Sequence, residues 1–207
     1  MGVERVVSLS LLGVYYDWSE GNRETIEESR RERRIIPAAT IDPRRYYGGR
    51  REEARLDGFF AIRLFPDIQG WPIDYAPFRL IVKLAGETGL PLIMPAATPG
   101  AATQIARNAD AYKAQTLLCS VNYSTLSEAL VLMRENDNIH ICTDMLNTPD
   151  GVELVVDEFG PERLVFGSGF PKTYFSGPLL SVERASIPRS AKRKILRENI
   201  LRMVGLR

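Results

Sequence analysis

Short apolar runs alternate with polar or amphipathic stretches along the whole chain. Residues 3–12, 35–41, 59–65, 90–94, 115–121, 138–143 and 163–167 are apolar runs of strand length, and Asp42 with Pro43 and Pro66 stop two of them. Between them lie helical patterns. Asn22 reads as the cap of a charged helix over 23–34. Residues 75–87 bring Phe78, Leu80, Ile81, Leu84 and Ala85 to one side, and Gly89 suits a left-handed helix end. A helix over 101–110 follows, then one from Ser124 to Glu135 burying Leu126, Ala129, Leu130 and Met133. Thr148 and Pro149 read as cap and first position of the next helix, closed by Gly160 and Pro161. The last helix, 190–204, opens on Ser190 and buries Ile195, Ile200, Leu201 and Val204.

Seven strands separated mostly by helices predict a parallel α/β sheet. Neither a GxGxxG turn nor a GxxxxGK[ST] loop is present, so the nucleotide-binding doubly wound folds lose their main signature and a barrel is favoured. The length of 207 residues is short for an eight-unit barrel, which typically needs roughly 250. No internal repeat or linker divides the chain, so residues 1–207 are read as one domain.

Composition narrows the classes. A hydrophobic content of 44% and a net charge of +1 exclude a disordered chain. The balance of 27 basic and 26 acidic residues leaves no basic excess to attract nucleic acid. Prolines and a glycine interrupt the uncharged stretch 88–106, so no membrane span is expected. Cys119 and Cys142 form neither a CxxC pair nor a disulfide framework, and no signal peptide is read at the start; a reducing cytoplasm is the expected setting.

The segments GVERVVS, IIPAATIDP, AIRLFPD, AGETGLPLIM, NDNIHICTD, GPERLVFGS with the following GFP, and KILRENILRMVGL resemble, in order, strand and junction segments of the amidohydrolase-related superfamily. The resemblance is to the branch that includes aminocarboxymuconate-semialdehyde decarboxylase and related metal-dependent hydrolases. It implies a (β/α)8 TIM barrel, a divalent metal such as zinc, and hydrolase or decarboxylase chemistry.

The departures bear on that chemistry. Relatives open with a strand carrying His-x-His, whereas this chain begins at what reads as the end of the first helix, so the expected fold is a TIM-like barrel lacking its first β/α unit. The fifth-strand His of the resemblance falls at Met94 or Pro95, and the sixth-strand His near Ser120 or Asn122. The eighth-strand Asp falls on Gly169. None of these offers imidazole or carboxylate, so no metal or other cofactor is expected.

Candidate chemistry then rests on other residues. His140, Cys142 and Asp144 alternate on one strand and would face one way, which allows an improvised metal site; the preferred reading is two packed strand residues and a turn cap at Asp144. Barrel enzymes draw catalytic groups from the C-terminal ends of strands, where Asp42, Arg63, Asp67 and Asp144 stand beside Ser8, Ser10, Ser120, Asn122 and Ser168. Arg63, if inward, is suited to holding a carboxylate in two hydrogen bonds; an outward, salt-bridged Arg63 is the preferred expectation. Gly167, Ser168 and Gly169 do not complete a GxSxG elbow, because Phe166 holds its first position. Pairs such as Glu27 with Arg31 make helix 23–34 a solvated face.

The expected function is therefore a non-catalytic binding or partner subunit, a homo-oligomer or a companion of an intact relative. The alternative is a hydrolase or decarboxylase-like enzyme for a small carboxylate, with Arg63 as anchor and Asp42, Asp67 or Asp144 as base.

Overall fold

The structure is a computed structural model that describes residues 2–48 and 55–206. In chain order the elements begin with β1 (Val6–Ser8), α1 (Leu11–Tyr15), α2 (Trp18–Arg31), β2 (Ile35–Ala39) and β3 (Ala61–Arg63). There follow α3 (Pro66–Gln69), α4 (Ala76–Thr88), β4 (Leu92–Pro95), α5 (Ala101–Ala111), β5 (Thr116–Cys119), α6 (Leu126–Glu135) and β6 (Ile139–Cys142). The chain continues through α7 (Gly151–Phe159), β7 (Leu164–Val165), α8 (Ser176–Arg184), α9 (Arg189–Arg193), a π turn over Lys194–Glu198 and α10 (Asn199–Met203).

All seven predicted strands are present, paired in parallel and in sequence order from β1 to β7. β2 to β7 form because an apolar run is largely buried on both faces, as in parallel sheets, whereas β1 at the sheet edge is exposed at Val6 and half-buried at Val7 and Ser8. Alternate residues of the strands divide between two layers. Ile62, Leu64, Leu92, Met94, Leu118, Ile139, Ile141 and Leu164 pack against the helices through Phe78, Ile81, Ile105, Met133 and Val155. Ile36, Ala38, Ala61, Ile93, Leu117, Cys119, Cys142 and Val165 line the opposite, inner face together with Met203 and Val204 of the C-terminal helix.

That helix also joins the two ends of the sheet, since no ladder pairs β7 with β1 among the described residues. Asn199 donates its amide to the carbonyls of Pro161 and Leu164, both at 2.7 Å, which fixes the helix on β7. Arg197 reaches Glu4, just before β1, at 3.0 Å.

Element boundaries differ from the sequence reading where a cap was misjudged. The first strand is only Val6–Ser8, because Ser10 accepts a hydrogen bond from the amide of Leu12 and starts α1. Helix α2 starts at Trp18, capped by Asp17, whose carboxylate accepts from the amides of Ser19 and Glu20. Asn22 is instead buried within that helix and pairs both amide groups with the backbone of Thr40, at 2.9 Å each. On the solvent face of α2 the pairs are Arg23 with Glu27 and Arg31 with Glu28, not Glu27 with Arg31. Helix α6 starts at Leu126, one residue after Thr125, and α7 at Gly151 rather than at Pro149. The last helical stretch is capped at Pro188, not Ser190, and carries the π turn. Helices α1, α3 and α8 add to the elements that the apolar pattern predicts.

Candidate functional site

The strand ends of β5, β6 and β7 bring the most unusual chemistry together. Leu118 pairs with Ile141 in the ladder, so the next residues on the two strands, Cys119 and Cys142, stand side by side on the inner face. Asp144 follows in a short 3-10 turn over Thr143–Met145, and the donor atoms of Cys119, Cys142 and Asp144 all lie within 4.8 Å of one another. The thiol of Cys142 is pushed well above its usual range, first by its hydrogen bond with Cys119, then by burial and the neighbouring Asp144. Both cysteines are free and buried.

Asp144 is oriented by Ser120: one carboxylate oxygen accepts from the Ser120 amide at 2.8 Å and the other from its hydroxyl at 3.3 Å. To aim its amide there, Ser120 adopts a left-handed backbone with φ of 59°, a conformation that costs a side-chain-bearing residue energy and clusters at sites of function. Two glycines make the room. A Cβ at Gly167 would stand 2.2 Å from the Cys142 sulfur, and one at Gly169, where φ is +66°, would meet the Thr173 hydroxyl at 2.4 Å.

The other residues expected at strand ends do not join this group. Asp42, 6% exposed, is neutralised by Arg44, which donates from its backbone amide at 3.0 Å and from its guanidinium at 2.8–3.2 Å. Burial raises the pKa of Asp42, but the Arg44 hydrogen bonds outweigh it and hold the carboxyl below its usual value. Asp67 is exposed in the first turn of α3.

Arg63 corrects the expectation of an outward, salt-bridged side chain. Its neighbours Ile62 and Leu64 occupy the helix-facing layer and Ala61 the inner one, so by strand alternation Arg63 belongs to the inner face. Its guanidinium lies 5.2 Å from the centre of the Phe65 ring and makes no ion pair among the described residues.

His140 is separated from Asp144 by the length of the strand end. It shares the inner face with Cys142, but its Nδ1 lies 3.3 Å from the Asn138 carbonyl and it is not part of the thiol and carboxylate cluster. Burial, with the charges of Arg163 and Arg202, lowers its pKa to about 4. Asp144 turns back to Ser120 instead of capping the next turn, so the cluster pairs Cys142 and Asp144 with Cys119, a partner that spacing along one strand does not reveal.

Comparison with known proteins gives this arrangement a family. The sequence model described as amidohydrolase matches residues 20–206. The chain belongs to the amidohydrolase family. No curated protein matches it in sequence. Among solved structures, 5-carboxyvanillate decarboxylase LigW from Sphingomonas paucimobilis aligns with a TM-score of 0.74 at 15% identity, covering 100% of this chain and 80% of that one. A TIM-barrel protein from Bordetella bronchiseptica, itself uncharacterized, aligns at 0.71 and 18% identity, covering 89% and 73%. A 2,6-dihydroxybenzoate decarboxylase from Rhizobium aligns at 0.67 and 16%, covering 98% and 80%. These likenesses establish a TIM-barrel-like α/β fold with seven parallel strands.

The amidohydrolase metal centre does not fit the residues present. At the positions that the resemblance assigns to donors, Met94 is buried in the helix-facing core and Pro95 has no ligand atom in its side chain. Asn122 has its amide committed to the Ala97 and Ser120 carbonyls and its oxygen to the Ser124 amide. At Gly169 a side chain would need a left-handed backbone, φ +66°, and would have to displace the Thr173 hydroxyl. Two surface grooves of about 200 and 250 Å³ are lined by Ser8, Ser10, Glu24 and Glu28, and by Asn147, Asp150, Glu153 and Arg184. Neither touches Asp42, Arg63, Asp67 or Asp144. Among the described residues no helix is long and apolar enough to cross a membrane.

Proposed function

We propose that this amidohydrolase-fold chain is a non-catalytic binding or partner subunit, one that keeps the family scaffold without its metal-assisted chemistry. The observation that carries the reading is that Met94 or Pro95, Ser120 or Asn122, and Gly169 stand where the resemblance puts the family's donors, and none of them offers imidazole or carboxylate. The packed inner face, closed by Met203 and Val204, supports it. Such a subunit acts as a homo-oligomer or in a complex with an intact relative, and its two free thiols suit the reducing cytoplasm.

The test combines turnover and size. Purified protein is assayed on aryl carboxylates of the kind named for the aligned decarboxylases, with and without added zinc or manganese, and its mass is measured by light scattering. No turnover and a mass above one chain are expected. Metal-stimulated turnover, or a clean monomer at micromolar concentration that joins no relative, overturns the proposal.

A second reading is favoured by Arg63, an inner-face guanidinium with an aromatic neighbour and no ion pair among the described residues. In it the chain is a metal-independent hydrolase or decarboxylase-like enzyme in which Arg63 holds a substrate carboxylate. Asp144 would then be its base, since Asp42 is neutralised by Arg44 and Asp67 is exposed. Turnover without metal that is lost in Arg63→Ala and Asp144→Asn would select this reading.

A further inference from the structure

We propose that Cys119, Cys142 and Asp144 form a binding site for a thiophilic divalent cation, zinc above all, distinct in its ligands from the amidohydrolase metal centre and drawn from β5 and β6 beside Ser120 and Gly169. Zinc is bound by thiolate at about 2.3 Å and by carboxylate oxygen at about 2.0–2.2 Å, so tetrahedral geometry sets its ligand atoms roughly 3.5 Å apart. The three donor atoms here already lie within 4.8 Å of one another, and closing on an ion takes about 1 Å of side-chain movement.

Three independent features prepare the site. First, Asp144 is a carboxylate only 8% exposed that makes no ion pair with any described lysine or arginine. A buried charge is normally paired or coordinated to a metal, and a cation between Asp144 and the thiols supplies that compensation. Second, Asp144 is aimed by the amide and hydroxyl of Ser120, the outer support that metal-ligating carboxylates ordinarily have. The left-handed backbone of Ser120 keeps that support in place. Third, Gly167 leaves the Cys142 sulfur the space that any other residue would occupy.

Binding replaces two S–H bonds by two zinc–sulfur bonds and releases both protons to solvent; no electron is transferred. Three protein ligands leave a fourth position for water or a small anionic ligand, the arrangement of an open rather than a closed zinc site.

The experiment uses the whole, reduced, metal-stripped chain titrated with Co2+ and then with Zn2+. One equivalent of Co2+ is expected to give a thiolate-to-cobalt charge-transfer band, which Zn2+ then abolishes by displacement. Cys119→Ser and Cys142→Ser should lose the band, and Ser120→Ala should weaken binding by about tenfold. His140→Asn should leave it unchanged, separating this cluster from one drawn along the β6 strand alone. A wild-type chain that gives no band overturns the proposal whether or not the cysteine variants fold. So does a band that survives Cys119→Ser, or one lost in His140→Asn.

Discussion

Asp42 and Asp144 end β2 and β6 at nearly the same depth, 6% and 8% exposed, and the protein treats them in opposite ways. Asp42 is followed two residues later by an arginine that grips it through backbone and side chain, so its charge is spent within a single turn. Asp144 has no such neighbour. Its hydrogen bonds come from Ser120, 24 residues earlier, and its other company is two thiols. Burial is shared, so the partner decides which carboxylate remains available for a ligand: a local ion pair makes one end structural, and a distant serine leaves the other open to a cation.

Four measurements would break or sharpen that contrast. The largest effect is expected at Gly167, where Gly167→Ala drives a methyl into the Cys142 sulfur and should cost about 3 kcal/mol in denaturant unfolding. Removing the sulfur with Cys142→Ala in the same chain should restore most of it; a double variant as unstable as the single one would place the strain elsewhere.

Next comes acid sensitivity at the other end of β6. Because His140 has a folded pKa of about 4, below its ordinary 6.5, the unfolded chain takes the proton first. Its contribution is complete above pH 6.5 and falls away as the pH drops towards 4, by up to about 3 kcal/mol. Chemical denaturation between pH 4 and 7 should therefore show a slope that His140→Leu flattens.

At the β2 end, Asp42→Asn should cost about 1 kcal/mol, since the Arg44 side chain that it pairs with is half exposed. The depressed carboxyl works in the same direction on the acid side: its stabilisation is present above the ordinary aspartate pKa and is lost as pH falls through the lower folded value. The variant should lose that acid limb, whereas Asp144→Asn should act on metal retention. The smallest effect is expected for Arg63→Ala, about 0.5 kcal/mol in thermal unfolding for a partly exposed guanidinium beside one ring. A much larger loss would mean that Arg63 holds the fold and is not available to a ligand.

The strands were legible because most are apolar runs of strand length stopped by Pro, Gly, Asp or Asn, and all but the edge strand β1 are largely buried, as parallel sheets require. Resemblance extended that to the barrel-like fold, which the family match and the aligned structures bear out. Caps were less legible. Asn22 has the chemistry of a cap but spends it on Thr40, which only the packing of α2 against β2 reveals. The missing side of the site was hidden for a similar reason. Alternation along β6 places His140, Cys142 and Asp144 in one line, yet the contact that matters runs across the ladder to Cys119, and the register between two strands is not written in either of them. Arg63 was misjudged because an arginine on a strand is more often solvated, whereas the apolar residues on both sides of it claim the helix-facing layer.

The C-terminal helix carries a consequence for the time course of folding. Met203 and Val204 cover an inner face whose other members come from six earlier strands, and the tie from Arg197 to Glu4 joins residues at opposite ends of the sequence. During synthesis at roughly 5–20 residues per second, β1 to β7 leave the ribosome before the residues that cover them. For several seconds the nascent sheet carries an uncovered apolar face. That interval is when a chaperone would find most to hold, and a ribosome stalled just before α10 would display it longest.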